Sequence, residues 1–192
     1  TEGITFLGNE QFALVDEREG IVSWFIMNPE TKTIQFKPEQ SIKIFPYNVG
    51  NVGLEGITYD RKSKQLFVVK DRKPKKIYAL QWPVRNIKQP VINIPWNAED
   101  SPWWLARNLS GIHYHEKSGH LFILSRRSRT IIEYTLSGQK VGMFSLKSGS
   151  AKLQQTIAKA EGIVIANNGT LYLCAELNQL YIFKKRTGKT LL

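Results

Sequence analysis

At blade-like spacing in this 192-residue chain a glutamate stands directly before a glycine, as Glu2-Gly3, Glu55-Gly56 and Glu161-Gly162, and Ser110-Gly111 is a fourth member with the acid replaced. A second ionisable set follows one strand and turn later: Asp16, Asp71, Arg126 and Glu176. Carboxylates gathered in a narrow space raise each other's pKa unless a cation intervenes. A hard divalent cation such as Ca²⁺, bound by carboxylate and carbonyl oxygens, is one candidate, and lysine or arginine is the other. The candidate metal ligands are Glu2, Glu55, Asp71, Glu161 and Glu176, and Ca²⁺ is the one cofactor these residue types suggest. The alternative is structural: each glutamate accepts backbone N–H bonds from a neighbouring strand and locks the fold without a ligand. Ser110 and Arg126 would force any cation off a common axis.

A second constellation is basic. Lys70, Arg72, Lys73 and Lys75 crowd one connection, and Arg126, Arg127 and Arg129 another. With a net charge of +11 and a pI near 9.8, they are candidate ligand-binding residues for an anion. Phosphate contacts of this kind give salt-dependent affinity that is indifferent to sequence. Plain solvation of the surface by lysine is the competing explanation.

Other chemistry is sparse. Histidine occurs only at 113, 115 and 120. His113-x-His115 in a strand puts both rings on one face, a metal-binding spacing that lacks a third ligand nearby. Neither a Gly-x-Ser-x-Gly elbow nor a Gly-rich phosphate loop is present, so no catalytic residue is assigned and an enzyme is not indicated. The single Cys174 excludes an internal disulfide and is expected to be a buried, inert thiol. No stretch approaches the roughly 18 apolar residues of a membrane span.

The elements that must position these groups repeat. Gly3, Gly56, Gly111 and Gly162 each open a short apolar run, at intervals of 53, 55 and 51 residues. A period near fifty with strand-like runs inside it is the pattern of β-propeller blades. The expected fold is all-β: one propeller domain over 1–192, with four recognisable blade repeats of about 50 residues at about 1–48, 53–96, 108–147 and 159–192. Inner strands are expected at Glu2–Phe6, Gly56–Tyr59, Gly111–Tyr114 and Gly162–Ala166. Outer strands are expected at Ile34–Phe36 with Ser41–Phe45, at Pro90–Ile94 and at Lys140–Leu146, the last repeat lacking one. The insertion Pro95–Arg107, with Trp96, Trp103 and Trp104, is expected to pack over a blade edge, a binding surface being the alternative. Inner strands line a propeller's channel, so Glu2, Glu55, Ser110 and Glu161 should ring one mouth. Counting four residues past Phe12, Phe67, Phe122 and Tyr172 puts Asp16, Asp71, Arg126 and Glu176 on the same face. The two basic connections occupy equivalent turns of adjacent blades and should form one cationic rim.

The repeats resemble those of the SdiA-regulated domain family, the YjiK-like bacterial propellers. The resemblance is carried by Phe12-Ala13-Leu14-Val15-Asp16-Glu17-Arg18, Leu54-Glu55-Gly56-Ile57 and Phe67 to Arg72 with Pro74. It continues through Leu121 to Arg129, Leu146-Lys147-Ser148-Gly149-Ser150 and Lys159 to Leu173. It implies a β-propeller of the cell envelope, periplasmic or otherwise extracytoplasmic, often behind a membrane anchor. The family name records transcriptional control and implies no reaction. Family members carry a further repeat before the first one here, so the chain resembles an N-terminally truncated propeller, an incomplete ring with a gap. An open gap invites self-association. The expected function is a non-enzymatic envelope binding or scaffold propeller for an anionic ligand or envelope component, nucleic acid being disfavoured. The alternative is a calcium-dependent hydrolase of lactonase type, with the metal at the channel mouth.

Overall fold

The computed structural model describes residues 2–44, 53–71, 75–84, 92–93 and 106–184. They form four antiparallel sheets, each with its strands in chain order. The first holds β1 (Gly3–Gly8), β2 (Gln11–Asp16), β3 (Ile21–Ile26) and β4 (Ser41–Lys43); the second holds β5 (Leu54–Asp60), β6 (Gln65–Lys70), β7 (Lys76–Gln81) and β8 (Ile92–Asn93). The third holds β9 (Gly111–His115), β10 (His120–Ser125), β11 (Thr130–Tyr134) and β12 (Lys140–Ser145). The fourth has β13 (Ala160–Ile165), β14 (Leu171–Ala175) and β15 (Gln179–Phe183). Hairpin turns match local chemistry: Asn9-Glu10 and Leu177-Asn178 adopt positive φ, as two-residue connections between twisted strands require.

The second strand of each sheet shows why the sheets stack. In β6, Leu66 and Val68 bury into a core shared with Ala13, Val15 and Val22, while Phe67 and Val69 bury into the next core with Ile112, Leu121 and Ile123. In β10 the alternation repeats, Phe122 and Leu124 packing forward onto Ile163, Leu171 and Leu173. A strand buried on both faces reads as a continuous apolar run, as Leu66–Val69 and Leu121–Leu124 do. Each joint thus sets the forward face of one sheet on the backward face of the next.

At the centre β1 packs on β5, β5 on β9 and β9 on β13; among the described residues no comparable packing joins β13 to β1. The repeated glycines permit this approach. A Cβ on Gly3 would lie 2.9 Å from the Gly56 Cα, one on Gly56 would lie 3.1 Å from the Gly111 Cα, and one on Gly111 would lie 2.9 Å from the Glu161 carbonyl oxygen. None of the three has a positive φ, so the requirement is space and not a turn.

Three expectations are corrected. Ile34–Phe36 is not a strand: the Phe36 ring sits edge-on to Phe25 at 5.7 Å, and the 3-10 turn Pro38–Gln40 delays the outer strand to Ser41. Phe12 is not the counterpart of Phe67, because Gly3 pairs with Val15 as Gly56 pairs with Val69, making Ala13 the equivalent. Phe12 faces the other way, stacked on Phe25 and tilted against Phe6. Cys174 is exposed and not buried, because the alternation of β14 puts it with Tyr172 on the face of the fourth sheet that no other sheet covers among the described residues. The tryptophans at 96, 103 and 104 lie outside the described residues.

Candidate functional site

The mouth of the channel is a cavity of about 250 Å³ lined by the four inner strands and by Tyr172 and Cys174 of β14, with Gly3, Gly111, Gly162, Ile57, Ile112 and Ile163 in its wall and Glu2, Glu55 and Glu161 contributing carboxylates. Glu55 and Glu161 reach it from β-bulges, where the pairing register slips between Leu54 and Gly56 and between Ala160 and Gly162. A bulge re-aims one side chain without breaking the sheet.

Electrostatics in the mouth are strained. Burial pushes the Glu55 carboxyl up to about 8, helped by Asp71, Glu17 and Glu2 and opposed by Arg126. Burial also raises Glu17, with Glu2 and Asp71 adding to it. Glu161 is raised by burial even though Arg126 Nη1 donates to its Oε1 at 2.5 Å. Glu176 is engaged by Lys159. Arg126 therefore acts as the internal cation in the third sheet's place.

Glu17, missed in the sequence, is the acid that Asp16 was expected to be. Asp16 accepts the Glu19 N–H at 2.9 Å and closes its own turn. Stepping by two from the core-facing Ala13 and Val15 arrives at Glu17, and that alternation was the available signal.

The locking role falls largely to other residues. Asp71 Oδ1 accepts the Leu109 N–H at 3.1 Å, tying the second sheet to the segment entering the third. Ser110 Oγ lies 3.2 Å from the Leu124 carbonyl and 3.3 Å from that of Ala160, and accepts the Arg126 N–H. Asn108 Oδ1 accepts the Arg127 N–H at 2.9 Å. The Glu55 carboxylate takes part in no side-chain hydrogen bond with another described residue. No three His, Cys, Asp or Glu side chains among them converge at metal-ligand spacing.

Beside the mouth, an open groove of about 520 Å³ runs between the third and fourth sheets, lined by Arg107, Arg126, Arg127, Arg129 and Lys159 with Ala158 and Glu176. Arg127 and Arg129 are exposed. Arg107 and Lys159 were not singled out in the sequence; each belongs to a segment entering an inner strand, and only the fold brings them to the arginine turn. Lys70 and Lys75 are placed inside: both are buried, Lys75 Nζ donates to the Ala106 carbonyl at 2.7 Å, and burial lowers the Lys70 pKa. Arg72 and Lys73 lie outside the described residues.

The histidines occupy the opposite end of β9. His113 and His115 line a separate cleft of about 420 Å³ with Tyr59, Arg61 and Glu116. Burial pushes the His113 imidazole down to about 4, against the pull of the Ile165 carbonyl 3.1 Å from its Nε2. His120 pairs instead with Glu133 at 2.7 Å.

Known structures share the architecture. A chain of the nidogen/laminin complex superposes with a TM-score of 0.58 at 13% identity, over 95% of this chain and 59% of that one. Catalytically inactive H270A virginiamycin B lyase from Staphylococcus aureus, with quinupristin, gives 0.55 at 14%, over 97% and 56%. The WD40 propeller domain of Doa1 gives 0.52 at 11%, over 95% and 51%. At these identities the likeness is one of fold, and the chain spans between half and three-fifths of each. Among the described residues no helix is long and apolar enough to cross a membrane. The family model described as SdiA-regulated matches residues 1–184, and the chain belongs to that family.

Proposed function

We propose that this chain is a non-enzymatic binding propeller of the cell envelope whose ligand is an anion, a lipid headgroup or an acidic surface polysaccharide, held in the groove beside the channel mouth. The observation that carries this reading is the convergence of Arg107, Arg126, Arg127, Arg129 and Lys159 on one open groove. Guanidinium groups grip phosphate and carboxylate oxygens in pairs, and an open groove suits a chain or a surface better than a small enclosed substrate. The acids nearest the groove, Glu161 and Glu176, are engaged by Arg126 and Lys159 and so do not repel an incoming anion at full strength.

The test has two arms. Co-sedimentation with phosphatidylglycerol vesicles, against phosphatidylcholine controls, reads the lipid; retention on immobilised alginate reads the polysaccharide. Binding in either arm that is lost in Arg127→Glu/Arg129→Glu supports the reading and names the source. Equal behaviour of wild type and variant in both arms contradicts it.

A second reading, a calcium-dependent hydrolase of lactonase type, is favoured by one observation: Glu2, Glu17, Glu55 and Asp71 repel one another at the mouth, and a divalent cation would relieve that repulsion. The carboxylates as placed do not converge into a ligand set, so no hydrolytic step is derived through a metal. A Ca²⁺-specific rise in melting temperature that vanishes in Glu55→Gln would revive this reading; no rise at millimolar Ca²⁺ would remove it.

A further inference from the structure

The cleft of about 420 Å³ at the histidine end of β9 is lined by all four inner strands and shares no charged residue with the groove or the acidic mouth. Its size is that of known small-molecule sites. Two side chains of opposite charge stand together in its lining: Arg61 and Glu116 each lie five residues past the repeated glycine of their sheet, which brings them level on adjacent sheets. That balance sets the cleft apart in a chain of net charge +11.

The charged pair is loosely held. Arg61 Nε and Glu116 Oε1 stand 3.8 Å apart, with the two side chains 55% and 52% exposed. Exposed ion pairs of this kind contribute little, so a ligand's own charges replace the contact at small cost. The Phe6 ring lies beneath the Arg61 guanidinium, 5.2 Å from centroid to Cζ, and steadies a fork of N–H groups suited to a carboxylate. The histidines add acceptors. His113 Nε2 lies 3.1 Å from the Ile165 carbonyl oxygen and so carries the ring proton, which leaves Nδ1 as a bare acceptor that no described residue engages. Burial keeps that ring neutral, its pKa pushed down to about 4. Further along the same strand, His115 Nε2 is buried without a hydrogen-bond partner. Buried polar groups are ordinarily paired, and an exception beside a cleft points to a ligand.

We propose that this cleft binds a free α-amino acid with an apolar side chain, its carboxylate gripped by Arg61 and its ammonium donating to Glu116 and to His113 Nδ1. An α-amino acid carries both charges on one carbon, which matches a cation and an anion standing this close. Its side chain packs on Ile57, Ile112 and Ile163, which line the same cleft. Each charge also discriminates. A carboxylate without an ammonium sets two anions together at Glu116, and an amine without a carboxylate meets Arg61 unpaired. The site is separate from the anion groove and stands whether or not that groove binds.

The test is isothermal titration calorimetry of the whole chain with L-leucine, L-valine and L-phenylalanine. Isocaproate, which is leucine without its ammonium, and isoamylamine, which is leucine without its carboxylate, are the controls. The expected result is saturable binding of at least one amino acid, with both controls weaker than leucine by about tenfold or more, the worth of one charged hydrogen bond. Arg61→Gln and Glu116→Gln, both at exposed positions and checked for an unchanged circular-dichroism melt, should each lose a similar factor. Arg127→Glu/Arg129→Glu, which alters the groove alone, should bind the amino acid as wild type does. No saturable binding of any of the three amino acids at millimolar concentration overturns the proposal. Equal affinity for leucine and isocaproate makes the cleft a plain anion site and overturns it. Undiminished binding in Arg61→Gln and Glu116→Gln, or a loss confined to the groove variant, places the ligand elsewhere and overturns it as well.

Discussion

The Glu55 carboxyl holds its proton to about pH 8 in the folded chain and loses it near 4.5 when unfolded. Between those values the folded state binds more protons, so Glu55 contributes most stability below pH 4.5 and loses it as pH rises through 8. His113 acts in the opposite sense. Its folded pKa of about 4, against 6.5, makes stability full above 6.5 and lost as pH falls toward 4. From 6.5 to 8 only the glutamate slope of this pair remains. Chemical denaturation of Glu55→Gln should therefore show that slope abolished, with the variant more stable at pH 8 by about 2 kcal/mol after allowance for water at the open mouth. In His113→Gln the acid-side loss should flatten while the alkaline slope persists. The presence of an acidic mouth was legible in the sequence because Glu-Gly recurs at blade spacing. Which acids meet there was not: Asp16 and Glu17 are neighbours in the chain, and only β2's facing decides between them. The burial of Lys75 was equally hidden, since its acceptor, the Ala106 carbonyl, lies 31 residues away.

At the scale of the strand and its connections, the glycines and the interblade hydrogen bonds fix how closely the sheets approach. Gly56→Ala would bring a Cβ to 3.1 Å from both the Gly111 Cα and the Ile112 nitrogen. Neither backbone atom can withdraw without moving a strand, so the melt should report a loss of about 1–3 kcal/mol. Gly162→Ala meets only ordinary contact and should leave the isolated chain's melt nearly unchanged. Asp71→Ala orphans the buried Leu109 N–H and should cost about 1–3 kcal/mol in the same assay. The sheets were readable because apolar runs and turn residues repeat four times. The first sheet's outer strand was misread because alternation at Ile34–Phe36 reflects one aromatic contact, Phe36 on Phe25, and not a hydrogen-bonded edge.

For the molecule as a whole, charge and shape divide the labour. A net charge of +11 draws anions toward the protein, but the buried Lys70 and Lys75 do not present that charge as the exposed Arg127 and Arg129 do. The family and the propeller were legible because the repeat spans nearly the whole chain; the groove was not, because its basic residues come from three segments that only the fold assembles. The measurement that bears most directly on the central claim is the salt dependence of binding to the anionic partner that scores in the vesicle or alginate assay. Each lysine or arginine neutralising a phosphate or carboxylate releases a counterion, so affinity falls linearly with salt on a double logarithmic plot. Removing both side chains in Arg127→Ala/Arg129→Ala should lower that slope by about two and weaken binding at low salt. An unchanged slope, or binding in the double variant equal to wild type, would contradict recognition through this groove.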